Sequence, residues 1–225
     1  MAEAPLRFAA QVPGRSPGPV DSGRAERERR AIIRAAHRLI GQEERATTPL
    51  EDILRGAGVN RRTFYRHFPS KDALVLTMQR EAADGVRDSL RAAVGRAGDA
   101  RAAAVAWIEE LLGIGWDERA SRDGRTFMTP EVGLVVGIAD ALEDIYAEHR
   151  GILAEVLADG RTDGSLPAAE PEWDALAIHA VVVRYLEMRA RGRLDRPYTA
   201  VLDDVVRRFL PAAPPAAAGD GTRPG

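Results

Sequence analysis

Apolar residues recur along this chain at intervals of three and four, and no stretch alternates with a period of two, so the sequence predicts helices and no strands. Ile32, Ile33, Ala36, Leu39 and Ile40 give a first helix from about Arg24 to Ile40. Leu50, Ile53, Leu54 and Ala57 stripe a short second one. Leu74, Met78, Ala82, Val86, Leu90 and Val94 follow every four residues and predict a long helix from Ser70 to about Val94, roughly 37 Å at 1.5 Å per residue. Another runs from Ala100 to about Trp116, loosened near Gly113 and Gly115. Thr129, Pro130 and Glu131 start a further helix, broken at Gly133 or Gly137, that leads into a long one from about Ala139 to Asp159. The last two are expected over Pro171 to Ala190 and Arg196 to Leu210. Apolar residues wrap nearly the whole circumference of the former between Trp173 and Met188, which predicts burial on both sides. The latter carries a single stripe of Tyr198, Val201, Leu202, Val205, Val206 and Phe209. The fold class is all-α, with about nine helices. Residues 1–23 and 211–225, rich in Pro, Gly and Ala without apolar periodicity, are expected to be disordered tails.

The chemistry concentrates between Thr47 and Lys71. Thr48 suits a helix N-cap, Pro49 its first turn, and Glu51 the position that closes a capping box. Gly58 marks a helix stop, since glycine takes the left-handed conformation a helix end often needs. Asn60 can cap the next helix, and Val59 can staple onto Phe64. The pattern is a helix-turn-helix, whose second helix reads DNA in this motif. At 100° per residue, Phe64 and Phe68 fall on one side of that helix and Arg62 and Arg66 opposite. Arg61 and Tyr65 flank one edge, Thr63 and His67 the other. Arginine can bond guanine O6 and N7 with both arms, whereas Tyr65, His67 and Thr63 suit phosphate oxygens.

Charge sharpens this picture. The net charge of -2 conceals 12 Lys/Arg against 6 Asp/Glu from Arg24 to Lys71, and 18 against 26 from Asp72 onward. A basic module beside an acidic body is the footprint of a nucleic-acid-binding unit attached to something else. Lys71 is the only lysine among 32 basic residues, and it opens the long helix, where backbone amides add to its attraction for phosphate. The absence of cysteine excludes disulfides and thiolate metal sites. Neither a signal peptide nor a run of the ~20 apolar residues needed to cross a bilayer is present, so a soluble cytoplasmic protein is expected. His37, His67, His149 and His179 are far apart and lack metal-ligand spacing; no phosphate loop or nucleophile motif occurs. No catalysis, metal or cofactor is expected.

The block Thr47–Ile53, then Ala57-Gly58-Val59-Asn60, then Thr63 through Leu74 resembles the DNA-binding domain of TetR-type transcriptional regulators. The resemblance runs from about Arg30 to Leu74, roughly a fifth of the chain. It departs from the family pattern at Ile40-Gly41-Gln42-Glu43-Glu44, where an aromatic and a Gly-aromatic pair are usual. It implies an N-terminal three-helix helix-turn-helix domain over 24–71 and a C-terminal helical ligand-binding and dimerisation domain over 72–210. Thr48, Asn60, Arg61, Arg62, Thr63, Tyr65, Arg66, His67 and Lys71 are the expected DNA-binding set, with the Tyr65 hydroxyl and Lys71 on phosphates. A homodimer built from the last two helices is implied, with Val183 and Val205 taken as seam positions. A pocket among the middle helices is implied too, for which Trp107, Trp116, Phe127, Met128, Tyr146, His179 and Tyr185 are candidates. The expectation is a repressor that a small, largely apolar or aromatic effector releases from double-stranded palindromic operator DNA. The alternative is a regulator whose body binds a partner protein.

Overall fold

A computed structural model of the protein describes residues 19–40, 48–117 and 133–211. Among these residues are eight α-helices and no strand: α1 (Pro19–Ile40), α2 (Leu50–Ala57), α3 (Arg61–His67), α4 (Lys71–Gly95), α5 (Ala100–Trp116), α6 (Ile138–Asp163), α7 (Pro171–Ala190) and α8 (Tyr198–Phe209). The all-α expectation holds, with an N-terminal helix-turn-helix domain and a C-terminal helical domain. Phe127 and Met128 lie outside the described residues.

Side-chain caps fix several boundaries. The Asn60 side chain accepts from the Thr63 amide, Ser70 from Ala73 and Asp99 from Ala102, each satisfying an N–H that has no partner inside its helix. α2 is different. Pro49, not Thr48, occupies its cap position, and no side chain caps it. The Thr48 hydroxyl instead donates to the Leu39 carbonyl at 3.4 Å, so this buried threonine fastens the start of α2 to α1. α1 begins at Pro19, five residues earlier than its apolar stripe foretold, because proline suits a first helical turn whether or not that turn has a face to bury. α6 starts at Ile138 after Gly137, whose φ of 82° is left-handed, so the predicted break falls there.

Two apolar clusters organise the helices. The N-terminal one gathers Ile32 of α1, Ile53 of α2, Phe64 of α3 and Leu74 and Met78 of α4, all fully buried. Val135 and Ile138, from the approach to α6 and its first residue, join it. The larger cluster packs Trp107, Ile108 and Leu112 of α5 against Leu153 and Leu157 of α6, Ile178 and Val182 of α7, and Val201 and Val205 of α8. α4 supplies Leu74 and Met78 to the first cluster and Leu90 to the second. One continuous helix therefore carries both cores. Arg80 and Arg87 on α4 pair with Glu148 on α6 at 2.6 and 3.3 Å, tying the two long helices side by side.

Candidate nucleic-acid interface and inter-helical cavity

The turn between α2 and α3 rests on Gly58, whose φ of 68° is left-handed, a conformation a side chain resists. Its N–H donates to the Arg55 carbonyl at 3.3 Å, and Val59 N–H donates to Leu54 at 3.1 Å, closing the last turn of α2. Asn60 then restarts the chain as α3. Phe64 is fully buried and Phe68 nearly so, with ring centroids 5.7 Å apart, and together they pin α3 onto α1, α2 and α4. The Arg29 guanidinium lies 5.8 Å from the Phe68 ring centroid and pairs with Glu81 at 2.7 Å, locking α1 to α4 behind the motif. The opposite face presents Arg61, Arg62, Tyr65 and Arg66 to solvent, as the helical wheel requires. Tyr65 is 49% exposed, its ring edge-on to Phe64 at 5.4 Å.

The cations of this face differ in what already holds them. Arg61 is paired with Glu51 of α2, and Arg66 with Glu28 of α1. Glu28 also takes Arg24 at 2.9 Å and His67 Nε2 at 3.2 Å. Hydrogen bonds from Arg24, His67 and Arg66, against a smaller opposing desolvation, hold the Glu28 carboxyl down at about 2. Arg62 makes no ion pair with any described residue and projects freely. His67 is turned inward onto Glu28 rather than outward. Thr63 and Lys71 are half-buried at the two ends of the face. The structure thus gathers Asn60, Arg61, Arg62, Thr63, Tyr65, Arg66, His67 and Lys71 on or beside one helix, and sets Thr48 apart beneath it.

A cavity of about 450 Å³ opens between α4, α5, α6 and α7. Ala82, Ala83 and Val86, then Leu111 and Ile114, then Leu142 and Ile145, then Val183 and Leu186 make most of its wall. Gln79, Ser89, Glu110, Tyr146, His149 and His179 are its polar members among the described residues. Tyr146 stands edge-on to the His179 ring at 4.9 Å, and the two imidazoles are 6.4 Å apart. Burial, reinforced by neighbouring His149 and Arg150, drops His179 to about 4, and burial likewise lowers His149, so both rings are neutral near pH 7. The His149 ring nitrogen Nε2 sits 3.5 Å from the Ala83 carbonyl of α4. Among the described residues no cluster of side chains is arranged to hold a metal ion, and no helix is long and apolar enough to cross a membrane.

Residues 32–78 match the profile of bacterial regulatory proteins of the tetR family. Over 48 residues the chain is 42% identical to the HTH-type transcriptional regulator EthR of Mycolicibacterium smegmatis, a stretch covering 21% of this chain and 22% of EthR. It is 32% identical over 96 residues to the HTH-type transcriptional repressor LfrR of the same organism, covering 43% of this chain and 50% of LfrR. The chain carries a tetR-type helix-turn-helix over residues 32–78. It nevertheless spans less than a quarter of EthR in that match, so the resemblance in sequence is one of the helix-turn-helix region. The body is reached by fold alone. The structure of the regulator FadR from Bacillus subtilis in complex with stearoyl-CoA superposes with a TM-score of 0.65 at 14% identity, covering 82% of this chain and 99% of that one.

Within the body, only some of the expected pocket residues meet. Tyr146 and His179 line the cavity. Trp107 does not: it is fully buried in the larger cluster, its indole N–H donating to the His149 carbonyl at 3.2 Å. Trp116 packs on Tyr198 and under Arg189 at the far end of α5. Tyr185 donates its hydroxyl to Asp204 at 3.1 Å and bridges α7 to α8. These three aromatics serve packing because large flat rings fill inter-helical space best. Gln79, Glu110 and His149 escaped sequence reasoning. Each is a single polar residue on a mostly apolar stripe, and only the assembled helices bring them together. Val183 and Val205, expected on a subunit seam, point inward. Val183 lines the cavity and Val205 is fully buried in the larger cluster.

Proposed function

We propose that the protein is a DNA-binding transcriptional regulator, a repressor released from its operator by a small, largely apolar or aromatic molecule. The observation that carries this reading is α3, with Phe64 and Phe68 buried behind it and Arg61, Arg62, Tyr65 and Arg66 exposed in front. Arg62 is already unpaired and reads bases most directly; Arg66 must leave Glu28, and Arg61 must leave Glu51, before either meets DNA. Tyr65, Thr63 and Lys71 fix the register on phosphates. Asn60 acts by capping α3, and Thr48 by anchoring α2. The unit that binds DNA is 24–71, and 72–210 senses the effector and dimerises.

Two copies are needed because one α3 buries too little for tight specific binding. Trp173 and Leu176, 69% and 40% exposed on one side of α7, offer an apolar face for the second copy. The cavity, in the size range of small-molecule sites, favours an effector over a partner protein. The repressor LfrR and the acyl-CoA complex of FadR support the same reading. The site of action is the cytoplasm, where operator DNA lies.

α4 and α6 supply the coupling. Both line the cavity, and both reach the N-terminal cluster, through Leu74 and Met78 on one and Ile138 on the other. An effector that prefers the non-binding arrangement by ~1–3 kcal/mol weakens DNA affinity ~5–150-fold, and DNA weakens effector binding equally. Selection of duplexes from a random pool by the purified protein tests the DNA reading. A palindrome with half-sites ~34–36 Å apart is expected. Arg62→Ala should relax preference at one position per half-site, and Tyr65→Phe should weaken all sequences alike. Recovery of no shared sequence would overturn the reading.

A further inference from the structure

Two polar groups in the cavity have no partner. Gln79 Oε1 and His179 Nε2 are buried without a hydrogen bond to any described residue, and both residues line the cavity, at 9% and 3% exposure. A buried polar atom left unmade costs far more than an ordinary hydrogen bond returns, so such atoms are normally satisfied by something. Gln79 projects from α4 and His179 from α7 into a space whose other described lining is mostly Ala, Val, Leu and Ile, with Ser89, Glu110, Tyr146 and His149 as further polar members. From these two groups and the walls around them we infer that the cavity takes an uncharged amphiphile: an apolar body with a single neutral polar end, such as a carboxamide, that donates to Gln79 Oε1 and hydrogen-bonds His179 Nε2. This deepens the effector reading and rests on it.

Charge decides against ionised ligands. No Lys or Arg is among the described lining residues, and both histidines are held neutral, so a carboxylate would meet no counter-charge there and pay its desolvation in full. The one carboxylate, Glu110, is half-exposed and keeps access to water, so it offers an ammonium little beyond what solvent gives. A neutral imidazole has one donor and one acceptor nitrogen, so His179 can meet either half of an amide by choice of tautomer. A hydrocarbon alone would fill the walls yet leave both groups unmade. The polar end also engages α4 directly, eight residues from Lys71 along the helix that opens at the DNA-facing side.

Titration calorimetry on the full-length protein at neutral pH, with phenylhexanamide, phenylhexane, phenylhexanoate and phenylhexylamine as matched probes, decides the matter. The amide is expected to bind roughly tenfold more tightly than the hydrocarbon and than either ion, because only it satisfies the buried pair. Gln79→Leu removes the need for a donor and should bring amide and hydrocarbon within about threefold of one another; His179→Phe should act in the same direction. Thermal melts of both variants confirm that they fold. A carboxylate, amine or hydrocarbon that matches the amide, or an amide preference that survives in both variants, overturns the inference and leaves the cavity as an effector site of other chemistry. Binding of no probe up to its solubility overturns the effector reading itself.

Discussion

At Glu28, side chains from two helices share one carboxylate: Arg24 of its own helix, and Arg66 and His67 of α3. With its carboxyl at about 2 rather than 4.5, whatever it adds to stability is present above the ordinary value and lost only as pH falls through about 2, so it is ionised wherever DNA binding is measured. In the proposed DNA complex it competes with phosphate for Arg66 and holds that side chain in place. Glu28→Gln should therefore raise affinity for unrelated duplexes and steepen the salt dependence by about one unit of log K per log salt, while narrowing the gap between specific and random DNA. Binding isotherms at several salt concentrations check this. His179 titrates in the opposite circumstance. It is a base whose folded value, about 4, lies below the ordinary 6.5, so the unfolded chain takes up the proton first. Stability is full above about 6.5 and falls as pH drops towards 4, by up to roughly 3 kcal/mol for this group. His179→Phe should flatten that acid limb in melts taken between neutral pH and pH ~5.

At the scale of elements, what the sequence made legible were starts and stops. Gly58, Asn60 and Ser70 each satisfy or release a backbone group within a few residues of themselves, so their meaning needs no tertiary context. A Cβ at position 58 would touch nothing within 4 Å, so Gly58→Ala should cost only its backbone strain, about 1–2 kcal/mol in urea unfolding. Gly115 was misread for the converse reason. In sequence it suggests a loosening of α5, yet the helix runs unbroken to Trp116. The glycine is there because Leu186 of α7 lies where a side chain would go: a Cβ would meet Leu186 Cδ2 at 2.7 Å. Gly115→Ala should shift stability by no more than about 1 kcal/mol, because the Leu186 methyl it meets ends a side chain that can turn aside while alanine favours the helix; with Leu186→Ala in place the helix-propensity gain should show more fully. Thr48 fell to the same limit. Its neighbours suggested a local cap, but its hydroxyl is used across the chain on Leu39.

At the scale of the whole molecule, the cavity was the part hardest to foresee, because Gln79, Glu110, His149 and His179 sit on four helices spread over a hundred residues of sequence. Of the candidates that are described, Tyr146 and His179 line the cavity, whereas Trp107, Trp116 and Tyr185 pack elsewhere. The outward side of α7 corrects the idea of an evenly buried helix. Ala175, Ile178, Val182 and Leu186 face inward, whereas Trp173 and Leu176 face solvent. If those two seat a second copy, Trp173→Asp with Leu176→Asp should give monomers by sedimentation with the helical content retained, and DNA affinity should collapse. An unaltered dimer would place the seam elsewhere.

Val135 and Ile138 belong by chain order to the body, yet they close the apolar cluster of the DNA-facing head, and the Val136 amide donates to Asp72 Oδ2 at 3.4 Å beside them. The head is therefore not an interchangeable part. A chimera that grafts residues up to Gly95 onto another body would arrive with an open roof over Leu76 and its neighbours, and would borrow whatever that body happened to present. Moving this head to another body requires carrying the short stretch 133–138 along with it, as a second splice far downstream of the first.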